Sequence, residues 1–424
     1  MKNLGQHSNM KACIVGGNWS NSSNAGVFAM NLNNNRTNSN NNVGGRDCIS
    51  KPETTMVDTG NRGVCCPGIT EIKIEDSLFS SSNVEKQTVS QNSKRIGHLF
   101  EKAFTMENLY LAYLDARKGK RKKRATLKFE INLGAELKTL WEDINGGTYK
   151  PRPYSQFYVY EPKKRLINAP AFRDLVVQHC IYRAIYNIFD KSFVHTSYAC
   201  RKGGGTHKAS EYTQREMKKY NGELYFVKLD IRKFFYSIDR GILRGMFEKK
   251  IKDKRFINIM CEFTEMNGDK GIPIGNLLSQ IYALIYLNPL DHFIKRELKV
   301  TSYVRYVDDF VLIGLPLDKA KEFQTRCEKF VQEKLNLELS HWHIQKIKRG
   351  INFVGYRTWK KIKFVRKHSM YKFKKFAKKS KIRSIISLIG HAKGTGSIVY
   401  FRKICIEFHI INLLPKRSIS CLNM

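Results

Sequence analysis

The chain has 424 residues, enough for two or three domains and a large core, with 75 Lys and Arg against 37 Asp and Glu, a formal charge of +38. That excess points to a polyanionic partner, while 42% apolar and 12% aromatic residues exclude a merely disordered basic tail. No apolar run approaches about 18 residues and no signal-type segment opens the chain, so a soluble, cytoplasmic protein without a membrane span is expected; ten scattered cysteines without zinc spacing read as reduced thiols.

Residues 1–93 differ from everything after them. Asn18 to Asn42 is loaded with asparagine, including Asn33-Asn34-Asn35 and Asn40-Asn41-Asn42, interleaved with Gly, Ser and Thr. No helical or strand period runs long enough to build a core, so the segment reads as a polar, disordered leader. The patch Gly60 to Gly68 and the serine-rich run Ser77 to Ser82 extend its linker character.

Folded sequence begins near Arg95. Leu99, Phe100, Phe104, Leu109 and Tyr113 predict one amphipathic helix. It runs into Arg117 to Arg124, where Arg121, Lys122, Lys123 and Arg124 are candidate phosphate contacts against the plainer reading of a solvated face. Three prolines, 151, 153 and 162, punctuate an extended segment, Phe157 to Tyr160, followed by Lys163, Lys164 and Arg165. A long helix is predicted over Phe172 to Phe189, with Leu175, Val176, His179, Tyr182 and Ile185 inward and His179 a core histidine rather than a ligand. Arg201 to Lys208, with three glycines, lacks full P-loop spacing and reads as a flexible basic turn.

Leu224 to Leu229 is a strand pattern ending at Asp230, with Phe234-Phe235 just beyond, and Asp239 is placed to cap a helix from Arg240. Gly271 to Asn276 reads as a loop before an apolar helix over Leu278 to Leu290. Ser302 to Gly314 sets two adjacent acids, Asp308 and Asp309, between β-branched and apolar runs: strand, tight turn, strand. Ala320 to Leu335 is a further amphipathic helix, and Ile351 to Tyr356 a short strand with a bend. From Lys360 to Arg383 lysines surround Phe364, Tyr371, Phe373 and Phe376. This suits a helix that packs on one face and rides a nucleic-acid backbone on the other, with Lys374, Lys375, Lys378 and Lys379 as contacts.

Burying two carboxylates at a hairpin tip is costly unless their charge is offset. A pair of divalent cations does this, and two-metal sites clamp an in-line phosphoryl transfer; the bland alternative is a surface turn with two solvated acids. Asp230 at a strand end, with Asp308 and Asp309 on the same sheet, supplies the three acids such a site needs.

In order and spacing these residues resemble the reverse transcriptases, over about Arg95 to the C-terminus. Phe226-Val227-Lys228-Leu229-Asp230-Ile231 to Phe235 is similar to their motif A, Tyr306-Val307-Asp308-Asp309 to motif C, and Phe353-Val354-Gly355-Tyr356 to the primer-grip hairpin. Motif B departs from the usual Gln-Gly: Ile274-Gly275-Asn276-Leu277-Leu278-Ser279-Gln280 resembles instead the enzymes of diversity-generating retroelements, as do Arg201 to Lys208 and Ser340 to Phe353. Trp342 and His343 stand where motif D often has a lysine, and His343 or Lys346 is a candidate substitute for it.

The resemblance implies an α+β right-hand polymerase: fingers over 94–222, palm over 223–365 with a finger insertion about 245–271, and a basic helical thumb over 366–424. Asp230, Asp308 and the Ile231 carbonyl would hold two Mg²⁺ (or Mn²⁺) ions, with Asp309 in support. Lys163 and Arg165 would hold the triphosphate of an incoming dNTP, with Ile274 and Gly275 near the nascent pair, and Phe235 would be a steric gate against a 2′-hydroxyl or simply packing beside Phe234. Implied partners are a template-repeat RNA, its cDNA and a small basic accessory protein that assembles as a barrel, in a bacterial or phage setting.

The asparagine-rich leader is itself adenine-rich in its codons and fits a template repeat read through as protein, against an ordinary linker. A truncated group II intron-type enzyme is the nearest alternative. A retron enzyme is disfavoured by missing motifs, and a non-catalytic RNA-binding scaffold by the presence of all three acids. No nuclease or integrase domain is expected after the thumb.

Overall fold

The computed structural model describes residues 95–160 and 163–423; the asparagine-rich leader lies outside them. The first expected helix is two. Helix α1 (Leu99–Ala103) stops at Phe104, and α2 (Met106–Arg117) starts afresh because Thr105 takes the N-cap and its hydroxyl accepts from the Asn108 N–H at 3.1 Å. The five apolar residues that suggested one helix are all buried, so the period was right and the cap was overlooked. Two helices that the sequence did not announce follow, α3 (Arg124–Ile131) and α4 (Leu133–Gly146), ending at Gly147 with φ 78.

The extended segment after them is half of a hairpin. Strand β1 (Ser155–Val159) pairs antiparallel with β2 (Arg165–Ala169), and α5 (Phe172–Asp190) follows. In α5, Val176 and Ile185 are fully buried, whereas Leu175, His179 and Tyr182 are half-buried. The loop at 201–205 is pinned rather than flexible. Arg201 bonds the Asp190 carboxylate at 2.7 Å and the Val194 carbonyl at 2.8 Å, and the Gly205 N–H donates to Tyr198 O before α6 (Thr206–Lys218) begins.

Next come β3 (Tyr225–Ile231), the single turn α7 (Phe234–Ser237), α8 (Arg240–Glu248), α9 (Lys254–Glu262) and α10 (Leu277–His292). Asp239 caps α8 as expected, accepting from Ile242 N. Helix α10 is apolar all round and correspondingly buried; it contacts α5, α8 and α11 (Leu317–Leu335). The hairpin β4 (Ser302–Tyr306) and β5 (Asp309–Leu315), with β3 and β6 (Leu339–Lys346), makes an antiparallel sheet in the order β4-β5-β3-β6. Helix α11 lies against β3 and β6, and α6 against β4 and β5.

The strand with a bend is a three-stranded sheet: β7 (Ile351–Phe353), β8 (Tyr356–Thr358) and β9 (Lys363–Val365). Four helices close the chain: α12 (Lys367–Lys378), α13 (Ile382–Ala392), α14 (Ser397–Glu407) and α15 (Lys416–Leu422). On α12 Phe373 and Ala377 are buried, the Phe373 ring stacking on Phe401, so one face packs as expected. Tyr371 does not belong to that face, being 67% exposed, and Phe364 lies on β9 instead of the helix. The fold is thus mixed α and β. Among the described residues no helix is long and apolar enough to cross a membrane.

Candidate active site

Strand pairing sets the site. Asp230 is the sixth residue of β3 and lies directly opposite Asp309 on β5 and opposite His341 on β6. Directly opposed residues share a sheet face, so Asp230, Asp309, His341 and, two residues back, Lys228 point the same way. Leu229 and Phe310, on the other face, are wholly buried.

Asp308 lies in the two-residue turn between β4 and β5, after Val307 at φ 58. A positive φ at the first loop residue matches the twist of a tight hairpin; a β-branched residue holds it at a cost of about 1–2 kcal/mol. The guanidinium of Arg305 donates to the Val307 carbonyl at 2.9 Å and offsets that strain.

Each acid has a different electrostatic setting. Asp230 accepts from the Ser340 hydroxyl at 2.8 Å. Asp309 Oδ2 is 2.9 Å from Lys228 Nζ, while its Oδ1 is buried without a hydrogen-bond partner. Burial, reinforced by the neighbouring charge of Asp230, pushes the Asp308 carboxyl up to about 7. Burial also raises Asp309, to about 6, with Lys228 opposing. Arg165, on β2, is lowered by its own burial, against the pull of the Asp308 and Asp230 charges. Lys163, by contrast, is exposed beside the hairpin.

These carboxylates fit divalent cations only as a partial shell. Among the described residues no three His, Cys, Asp or Glu side chains gather into a complete metal site. Asp230 and Asp308 face the single Arg165 cation, and Mg²⁺ is commonly bound through one or two carboxylates plus substrate phosphates. The Ile231 main chain lies at the end of β3, beside Asp230.

Phe235 is 6% exposed and its ring meets Phe234 at 5.5 Å; its carbonyl accepts from Ile272 N at 2.8 Å. The loop bearing Ile274 and Gly275 is therefore fastened to the turn after β3. On its other side the Ile274 carbonyl accepts from Asn168 N of β2 at 2.7 Å. Gly275, at φ +107, has no room for a Cβ, which would stand 2.7 Å from Ile167. The loop thus joins β2 to the turn after β3.

The motif D expectation divides. Lys346 is excluded: it pairs with Tyr225, about 17 Å along the strand from the acids at about 3.4 Å per residue, and its amine is bound by Glu223 at 2.5 Å. His343, half-buried opposite Lys228 and lowered by that burial, stays on the site's face. His341 is nearer, facing Asp230 itself.

The primer-grip expectation also shifts. Phe353, Val354 and Tyr356 are almost wholly buried, and the Tyr356 hydroxyl donates to the His391 carbonyl at 2.7 Å; Gly355, at φ 91, leaves a Cβ only 3.0 Å from the same ring. Tyr356 and Gly355 meet His391 of α13, and the Tyr356 hydroxyl also meets His207 of α6. The open face is the next row, Asn352, Arg357 and Phe364, paired across the three strands. With Trp359, Arg366 and Lys367 this row lines a cavity of about 590 Å³. Of the outer basic candidates, Arg121, Lys122 and Arg124 are exposed and Lys123 half-buried, and Lys374, Lys375, Lys378 and Lys379 are exposed.

Lys228, Ser340, His341 and Arg305 went without a role in the sequence reading. A period of two back from Asp230 marks Lys228; the others depend on strand register, which no local pattern carries.

Residues 161–358 match the family model "Reverse transcriptase (RNA-dependent DNA polymerase)". The chain is 28% identical over 171 residues to "Group II intron-encoded protein LtrA" of Lactococcus lactis subsp. cremoris, covering 38% of this chain and 28% of that protein. It is 23% identical over 290 residues to "Protein YkfC" of Escherichia coli, covering 57% of this chain and 74% of the other. The chain thus spans under a third of LtrA. A solved telomerase from Candida albicans, with telomeric RNA, aligns at a TM-score of 0.39 and 12% identity over 65% of this chain and 63% of that one.

Proposed function

We propose that this chain, through its reverse transcriptase domain, is an RNA-directed DNA polymerase that extends a primer on an RNA template. The observation that carries the reading is that Asp230 and Asp308 lie at the end of two paired central strands with Arg165 acting on both. Asp230 and Asp308, with the Ile231 carbonyl, are the groups that would hold Mg²⁺, which supplies charge neutralisation for the transferring phosphoryl group and the leaving pyrophosphate. Arg165 meets the triphosphate from the fingers side, with Lys163 beside it. Phe235 lies beneath the sugar, held there by the Ile272 bond. The primer strand runs over the face that carries Asn352, Arg357 and Phe364, whose cations and ring suit a phosphate backbone and a terminal base. The exposed lysines of α12 and the basic turn before α3 add sequence-independent affinity.

As the finer reading we propose an enzyme of the diversity-generating retroelement type, supported by Ile274 where most relatives of the fold have glutamine. Isoleucine supplies bulk without a donor beside the nascent pair, so a mispair forfeits fewer hydrogen bonds. A template-repeat RNA and a small basic accessory protein would then be partners, and the adenine-rich leader a repeat read through. A group II intron-type enzyme is the second reading, favoured by the LtrA similarity.

One experiment tests both levels: extension of a DNA primer on an RNA template with Mg²⁺, followed by sequencing of the product. No extension overturns the polymerase. Extension with errors spread evenly over the four template bases, instead of gathered at adenine, favours the intron-type reading.

A further inference from the structure

Of the three acids, Asp309 has an ammonium of its own. Lys228 Nζ lies 2.9 Å from Asp309 Oδ2, with the two side chains 15% and 21% exposed. The lysine comes from β3, the strand that carries Asp230, and reaches across to β5. The other Asp309 oxygen is buried and unpartnered. Asp230 accepts from the neutral Ser340 hydroxyl, and Arg165 acts on Asp230 and Asp308 through its field. Asp308 has no carboxylate–ammonium or carboxylate–guanidinium contact of this kind among the described residues.

Were Asp309 uncompensated, its carboxylate would stand opposite Asp230 at cross-strand distance, roughly 4.5–5.5 Å between Cα atoms. Three ionised groups would then share one corner of the sheet. They would repel one another, or take a divalent cation together. A cation bound by three carboxylates has fewer positions left for substrate phosphates, which Mg²⁺ needs in such sites.

We propose that Lys228 is a positioning residue: it neutralises Asp309 and keeps that carboxylate out of the cation site, reserving Asp230 and Asp308 for metal. The proposal rests on the metal-dependent polymerase reading above. It makes metal affinity and turnover move in opposite directions when the lysine is lost, which a merely structural lysine would not do.

The test uses the full chain with Lys228→Met, which keeps the aliphatic length, together with Asp309→Asn and the double variant. Mn²⁺ binding to each protein without nucleic acid is followed by the electron paramagnetic resonance signal of the free ion, and primer extension is measured at saturating Mg²⁺. Lys228→Met is expected to bind Mn²⁺ about tenfold more tightly than the unaltered protein, as removal of one close positive charge implies, and to turn over more slowly. The double variant is expected to return to the Mn²⁺ affinity of Asp309→Asn. Unchanged or weaker Mn²⁺ binding by Lys228→Met overturns the proposal, as does a gain that survives in the double variant. Should Lys228→Met fail to fold by circular dichroism, Lys228→Gln takes its place under the same two criteria. Failure of the unaltered protein to extend any primer overturns the polymerase reading; normal extension with no Mn²⁺ gain overturns this inference alone.

Discussion

Arg305 and Asp291 form a fully buried ion pair, Nε to Oδ1 at 2.7 Å and Nη2 to Oδ2 at 2.5 Å, with neither side chain exposed. The Tyr303 hydroxyl donates to the same carboxylate at 2.5 Å. Asp291 belongs to the buried helix α10, and Arg305 to β4, two residues before the strained Val307 whose carbonyl it also binds. The turn that presents Asp308 is therefore tied to the hydrophobic core through one guanidinium.

Removing one partner leaves the other charge buried and alone. Asp291→Asn is expected to destabilise the protein by about 3–5 kcal/mol, the usual range for breaking a buried pair. Urea unfolding at neutral pH measures it; a loss below about 1 kcal/mol, as for surface pairs, would show that water reaches the guanidinium.

Asp308 has the opposite sign. Its carboxyl is raised to about 7 by burial and by Asp230, and a carboxyl raised on folding costs stability at any pH above its unfolded value. At pH 8 without divalent ions Asp308→Asn should raise the melting temperature, and with Mg²⁺ present it should lower primer extension by at least about a thousandfold. RNA affinity, spread over many lysines and arginines, should change little. Substantial cDNA synthesis by this variant would remove Asp308 from the site.

How much of this was legible in the sequence depends on the range of the interaction concerned. The strand to Asp230, the acid hairpin, helix α10 and the Asp239 cap follow from patterns a few residues long, and the structure has them all. The break at Thr105 was also local, and was passed over because the apolar spacing continued across it. The role of Lys228 and the partnership of Ser340 with Asp230 depend on which strand lies beside which, 110 residues apart in the second case. The primer-grip residues misled for a related reason. Phe353 and Tyr356 match a motif by type, yet their rows alternate, and α13 covers the face they occupy.

Two histidines give the stability a slope in mild acid. Burial holds His391 and His179 down to about 4 from an ordinary 6.5. Between those values the unfolded chain binds more protons than the folded one, so stability falls as pH drops from 6.5 towards 4 and is unaffected above 6.5. The raised carboxyls of Asp308 and Asp309 oppose this slope over the same range, so the histidine contribution is read from differences: His179→Leu or His391→Phe should each gain in urea midpoint on the unaltered protein as pH falls from 7.5 to 5. A slope that neither substitution alters would assign it to carboxylates instead.

The last prediction concerns Phe235, where packing and selectivity are read from the same ring. It is nearly buried, stands against Phe234, and its backbone is bound to Ile272. Phe235→Val removes ring volume but leaves that backbone bond and Phe234 in place. The cost in stability should fall in the large-to-small range of about 1–4 kcal/mol. If the ring also closes the space beside the sugar of an incoming nucleotide, the same change opens room for a 2′-hydroxyl. Single-nucleotide incorporation should then show the preference for dNTP over rNTP falling by about tenfold or more, because a steric exclusion of a few kcal/mol has been lifted. The two effects separate in the kinetics: selectivity is a ratio within one folded enzyme, so lost stability alone does not change it. A less stable variant with an unaltered dNTP/rNTP ratio would make Phe235 a core residue and move the sugar gate elsewhere.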